Sequence, residues 1–429
     1  MHGPEVELAV IGAGLRGTGY ARRARVTGRA RITAVAEPDQ ERRTRFAEEH
    51  GIDERNVFED WRDLLDRERL ADAVIISTQD SMHVEPAVRA AELGYHLLVE
   101  KPMAPTEKEA AQITEAAERH GVLLAVCHVM RYTRYTETLK EILDAGRIGD
   151  IMNIQHLEQV GWWHQAHSFV RGNWSNEAAS APMLLAKACH DLDWIVHIKG
   201  ALPRRVSSFG NLVHFRPEKR PQKAADNCLD CPVESTCPYS AKRIYLDCLG
   251  DPAKEWWPLS AVTDDHTEDG VLAALREGPY GRCVYASDND VVDSQVVDME
   301  FGDGTTASFM MTAFAALEHR KTRVFGTHGS IEGDGVNLRI HDFLTDTHST
   351  VVTDTSPGAS AAEGHGGGDE VLLDAFVEAV RDKDPTPIRS TGRESLDTHR
   401  VVWAAETARR TRTVSTLVPQ DRPFTGKTM

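Results

Sequence analysis

The first forty residues constrain this chain more than any other stretch. The apolar run ELAVIGAG leads into Gly12-Ala13-Gly14-Leu15-Arg16-Gly17, and the helix-like RGTGYARRARVTG follows. A second apolar run, RITAVAE, ends on Glu37. A G-x-G-x-x-G between strand and helix, with an acid about 20 residues on, is the pattern of a dinucleotide-binding βαβ unit. Gly12 permits the tight turn, Gly14 lets backbone approach a pyrophosphate, and Gly17 lets helix and strand pack closely. Leu15 and Arg16 open the helix whose N-terminus attracts phosphates. Glu37 suits the ribose hydroxyls and repels a 2′-phosphate, which favours NAD over NADP even with Arg42 and Arg43 nearby.

The alternation continues. ADAVIIST (71–78), HLLVEKP (96–102) and VLLAVCHV (122–129) read as strands. Helical stretches separate them, one opened by a capping box from Thr106 to Glu109. This is a doubly wound parallel sheet, and such sheets bind ligands beyond the carboxyl ends of their strands. Thr78, His83, Glu100, Lys101 and Arg131 fall at or just past those ends and are candidate cofactor contacts.

At 429 residues, two domains are expected. A net charge of −17 disfavours a phosphate backbone as partner, so no nucleic acid is expected. No apolar run is long enough for a membrane helix and no targeting pattern opens the chain, so a cytoplasmic protein is expected. The seven cysteines should then be thiols or metal ligands rather than disulfides.

Past residue 146 the pattern changes to longer, polar-alternating strands, with a hairpin across Gly302-Asp303-Gly304 in residues 293–314. GWWHQAHSFVRGNWSN (161–176) concentrates Trp163, His164, His167, Arg171, Asn173 and Trp174. That mixture suits a polyol pocket; the alternative is a tryptophan core with polar turn caps. In LLAKACHDLD (184–193), Lys187 shares a helix face with His190 and Asp191, either as a proton-handling cluster or as a solvated ion-paired face. Cys228, Cys231, Cys237 and Cys248 form C-x2-C-x5-C-x10-C. Cys283 is an alternative fourth ligand, and a structural zinc, an iron–sulfur cluster, free thiols or a disulfide are the readings, with zinc ahead of iron–sulfur. The run 356–369, with His365, is either a lid or a linker.

Glu100-Lys101-Pro102, taken with GAGLRG, AVAEPD and STQDSMH, resembles the Gfo/Idh/MocA family of NAD(P)-dependent oxidoreductases. The resemblance implies a Rossmann domain (1–130) and an α/β domain with an open, mostly antiparallel sheet (131–429). The latter would carry a Cys-rich insertion at about 214–290 and helices at 369–383 and 393–410. It implies hydride transfer between nicotinamide and a sugar, sugar derivative or inositol. Lys101 matches the family's EKP lysine and stabilises the reacting oxygen. His190 matches its acid/base, but the aspartate four residues earlier is Ala186 here, so Lys187 or Asp191 would assist. A redox-neutral glycosidase or lyase, and a non-catalytic NAD or sugar sensor, are the other readings. A homo-oligomer, dimer or tetramer, is implied.

Overall fold

The computed structural model describes residues 5–353 and 365–417. Among them the strands form two sheets. The first holds β1 (Val6–Ile11), β2 (Ala30–Ala36), β3 (Val57–Phe58), β4 (Ala73–Ile76), β5 (His96–Val99) and β6 (Leu124–Val126). Its order is β3-β2-β1-β4-β5-β6, with every pair parallel. The order reverses beside β1, so the glycine turn after it opens onto the crevice where ligands of such sheets lie. Near-continuous burial of β1, β4 and β5 explains their unbroken Val/Ile/Leu runs. The capping box at Thr106 and Glu109 is present.

The second sheet holds β7 (Ile151–Gln159), β8 (Pro203–Asn211), β9 (Ser294–Phe301), β10 (Thr306–Thr312), β11 (Lys321–Gly326), β12 (Gly329–Gly333), β13 (Asn337–Asp342), β14 (Thr347–Val352) and β15 (Ser415–Thr416). Its order is β14-β13-β12-β11-β7-β10-β9-β8-β15. Only β7 with β10 is parallel; the other pairs are antiparallel, including the hairpin β9–β10. Across this sheet lies the helix Met183–Lys199, whose Leu184, Leu185, Leu192, Ile195 and Val196 share an apolar cluster with Ile154, Val297 and Phe309.

Two C-terminal helices pack on the first domain. The helix Gly368–Asp382 joins the first domain: Leu372, Leu373, Phe376 and Val377 lie in one cluster with Val6, Leu8, Val10 and Tyr20. Each such side chain contributes ~1.5–3 kcal/mol by burial, which the sheet's face would otherwise lack. The helix Gly392–Thr411 bridges both domains, with Leu396 in a Rossmann-side cluster and Val401, Val402 and Ala405 in the other. Residues 214–290 form short helices around two satellite clusters. Among the described residues no helix is long and apolar enough to cross a membrane.

Candidate active site

The dinucleotide turn is built by three glycines with three different constraints. Gly12 has φ +92°, and a Cβ there would stand 2.8 Å from Ser77 O. A Cβ on Gly14 would meet nothing within 4 Å, so this side of the loop is open to a ligand. A Cβ on Gly17 would stand 2.1 Å from Gly12 O. The helix beginning at Leu15 has no side-chain cap on its N-terminus, which leaves amide donors for an anion. Glu37 is 4% exposed and accepts the Ala13 N–H at 2.8 Å and the Asp39 N–H at 3.1 Å, fixing its carboxylate beside the turn. Arg42 donates to the same carboxylate at 3.3 Å. These residues fit a dinucleotide. Gly17→Ala is expected to push the helix off the strand at ~1–3 kcal/mol. NADH affinity should fall about tenfold or more, read by fluorescence titration.

Beyond the strand ends, Arg16 reaches from the turn to Glu100 (Nε to Oε1, 2.6 Å) and pairs with Asp369. Glu100 also receives the Lys101 N–H at 2.9 Å and the Tyr20 O–H at 3.0 Å. Burial pushes the Glu100 carboxyl up, but Arg16 and Lys101 outweigh it and hold it below the usual range. Lys101, followed by a cis peptide to Pro102, donates through Nζ to Ala186 O at 2.7 Å. It therefore faces the helix that carries Lys187 and His190.

That helix is buried nearly all round, so LLAKACHDLD is not a solvated ion-paired face. Its charges are neutralised from other elements. Glu158 of β7 pairs with Lys187 at 3.0 Å and with Arg320 at 2.6 Å. Arg320 also reaches Asp191 at 3.0 Å, and His156 of β7 meets the same carboxylate at 3.0 Å. Burial raises Asp191, yet Arg320, His190 and His156 together hold it well below the carboxylate range. Burial lowers Lys187, with Glu158 opposing.

Arg320 Nη2 donates to His190 Nε2 at 2.9 Å. This assigns His190 the neutral tautomer with its hydrogen on Nδ1, an atom with no hydrogen-bond partner among the described residues. Burial drives His190 well below the usual histidine value, against the pull of Asp191. His365 stands edge-on to it, ring centroids 5.9 Å apart, with Nδ1 3.0 Å from Asp369 Oδ2. Burial lowers His365 as well, with Asp369 opposing.

Two family descriptions match the chain: "Oxidoreductase family, NAD-binding Rossmann fold" over residues 6–128, and "Oxidoreductase family, C-terminal alpha/beta domain" over residues 140–417. The chain belongs to the Gfo/Idh/MocA oxidoreductase family. Among its relatives is the oxidoreductase YteT of Bacillus subtilis, 26% identical over 76% of this chain and 76% of the relative. Another is the 2,7-anhydro-N-acetylneuraminate hydratase of Mediterraneibacter gnavus, 30% identical over 49% of this chain and 54% of that protein. The solved levoglucosan dehydrogenase in complex with NADH and levoglucosan shares the fold, with a TM-score of 0.70 at 18% identity. It covers 97% of this chain and 100% of that one.

In this Gfo/Idh/MocA chain several expected contacts lie elsewhere. Arg131 is 1% exposed and held in a buried ion pair by Asp193 (2.7 Å) and Glu394 (3.0 Å). His83 bridges Thr78 O (3.2 Å) and Pro102 O (3.0 Å), tying two strand-end loops together. The Thr78 hydroxyl, among the described residues, reaches only Gln79 O at 3.5 Å. His167 and Arg171 turn away from the site into the insertion: His167 meets Tyr245 Oη at 2.9 Å, and Arg171 donates to Arg282 O and Tyr239 O. Trp163 and His164 pack on Trp257, and burial, with the Lys187 and Lys101 charges adding to it, holds His164 well below the usual histidine value. Trp174 donates to Asp80 at 3.2 Å, and Asn173 is exposed.

The sequence leaves the fourth cysteine open between Cys248 and Cys283, and the structure separates the two. Cys248 belongs to a separate apolar cluster and gives its S–H to Ile244 O at 3.1 Å. Cys283, not Cys248, shares a cavity with Cys228, Cys231 and Cys237. All seven cysteines are free thiols, and among the described residues no group of His, Cys, Asp or Glu is poised to hold a metal ion. Sequence reasoning also misses Asp80, Glu158, His156 and Arg320. Asp80 stands inside STQDSMH; the other three have no local signal.

Proposed function

We propose that the protein is an NAD-dependent dehydrogenase or reductase. It moves hydride between nicotinamide and a hydroxyl-bearing carbon of a sugar, sugar derivative or inositol. The observation that carries this reading is Lys101 standing between the dinucleotide turn and the His190 helix. The levoglucosan dehydrogenase on the same fold supports the substrate class, and Glu37 supports NAD over NADP. When bound, the dinucleotide supplies the hydride acceptor.

The chain's own groups handle the oxygen and its proton. Lys101 bonds the substrate oxygen and stabilises negative charge developing there. His190, with hydrogen on Nδ1, is a second donor to that oxygen. The proton-accepting role expected of His190 passes to His365. Its Nδ1–H is given to Asp369, so the lone pair is on Nε2, the arrangement of a histidine base oriented by a carboxylate. This pair takes the place of the aspartate missing at Ala186. Lys187 and Asp191, tied to Glu158 and Arg320, position the helix rather than exchange protons. Trp163, His164 and Trp257 provide an aromatic wall for the C–H faces of a sugar.

The test is a sugar and cyclitol screen that follows NADH absorbance. His365→Gln is expected to lower turnover about 10²–10⁴-fold with substrate KM little changed. Because burial holds His365 below the usual histidine value, it stays neutral at lower pH than a free histidine does, and oxidation should weaken only in that more acidic range. Unchanged turnover or pH profile in His365→Gln would remove it from the mechanism.

The hydratase relative favours a second reading, a redox-neutral cycle in which product forms with no net NADH. Product without any change in nicotinamide absorbance selects that reading. Exposed Phe209 and Met310 both pair with Val296 on one face of the second sheet, which supports a homodimer or tetramer through that face.

A further inference from the structure

Arg171 ends a π-helical stretch, Gln165–Arg171, and turns into the insertion, away from the proposed substrate site. It is 4% exposed, and among the described residues no carboxylate pairs with it. Its Nη2 donates to Tyr239 O at 2.8 Å and lies 3.5 Å from Cys228 Sγ, while its Nη1 has no hydrogen-bond partner among those residues. A buried cation without a counter-charge is strongly disfavoured. What faces it is a cavity lined by Cys228, Cys231, Cys237 and Cys283.

A donor already addresses one of these sulfurs, Arg171 Nη2 on Cys228 Sγ. Such N–H donors to sulfur belong to the outer shell that orients the thiolate ligands of a metal. The cavity is about 20 Å³. That is room for one water-sized sphere, so it suits a single ion and not a four-iron cluster.

We propose that these four thiols, with Cys283 and not Cys248 as the fourth, hold one zinc ion. Four thiolates around Zn²⁺ carry a net charge of −2, and Arg171 supplies the nearest buried positive charge. Binding releases the thiol protons, so affinity rises with pH. The neutral thiols do not yet converge on a common point. Binding would require the thiols to change rotamer toward the cavity. The ion would join both ends of residues 228–283 to the segment bearing His164 and His167. The insertion has only small apolar clusters of its own, so the role is structural.

Metal analysis of the whole protein, purified without chelator, should find about one zinc per chain. Cys231→Ser and Cys283→Ser should each lose it, and Cys248→Ser should keep it. Because the variants can fail to fold, the wild-type protein is also titrated with a mercurial in the presence of a zinc dye. Zinc release in step with thiol modification supports the site. Metal-free protein with seven titratable thiols overturns it, as does a disulfide among the four. Iron with visible charge-transfer absorption, or zinc lost from Cys248→Ser but kept in Cys283→Ser, overturns it equally.

Discussion

Lys101→Met should lower turnover on the order of 10³-fold while leaving NADH affinity within about twofold of the parent. The methionine keeps the length and most of the apolar stem but removes the ammonium. The turn that meets the dinucleotide is held by Glu37 and the three glycines, none of which touches Lys101 Nζ. Lys101 instead bonds Ala186 O on the opposite wall. Stopped-flow turnover beside a fluorescence titration separates the two effects. A matching loss in both would mean that Lys101 only binds cofactor, and unchanged turnover would remove it from the chemistry.

Arg320→Leu should cost about 3–5 kcal/mol of stability, the largest expected loss from a single change near the site. Its guanidinium joins Asp191 and Glu158, both at most 1% exposed. Lys187 still covers Glu158 after the change, but Asp191 keeps only His156 and His190. In the parent, Asp191 lies well below the carboxylate range, so its contribution is present above the unfolded value and is lost only in strong acid. In the variant, burial is left to dominate and the folded value rises above the unfolded one. The deficit should therefore be greatest at neutral and higher pH and shrink as pH falls toward about 5. Denaturant melts across that range check it; a deficit independent of pH would mean that packing, not charge, was lost.

What is legible in the sequence is what is local in it. Gly12, Gly14, Gly17 and Glu37 lie within one βαβ unit, where spacing alone determines geometry. Lys101 is legible because a strand end and its flanking Glu and Pro are contiguous. The neutralising partners are not legible. Glu158 and Arg320 sit on β7 and just before β11, far apart in the chain and adjacent only because those strands pair. Without them, Lys187 looks free to hold substrate. The chemistry of residues 165–171 misleads for a similar reason: the residue types of His167 and Arg171 suit a sugar, but the insertion claims their polar atoms. Sequence proximity likewise favours Cys248 over Cys283, although the return of the chain at residue 283 brings the more distant cysteine into the cavity.

The helix Gly368–Asp382 also has a consequence during synthesis. It covers one face of the first sheet, yet the last strand of that sheet, β6, ends at Val126. At ~5–20 residues per second, the sheet waits on the order of tens of seconds for its cover after its strands have left the ribosome. Over that interval an apolar face is available to chaperones or to a neighbouring nascent chain. Expression as two halves cut near residue 130 would make that exposure permanent, so the N-terminal half alone should aggregate.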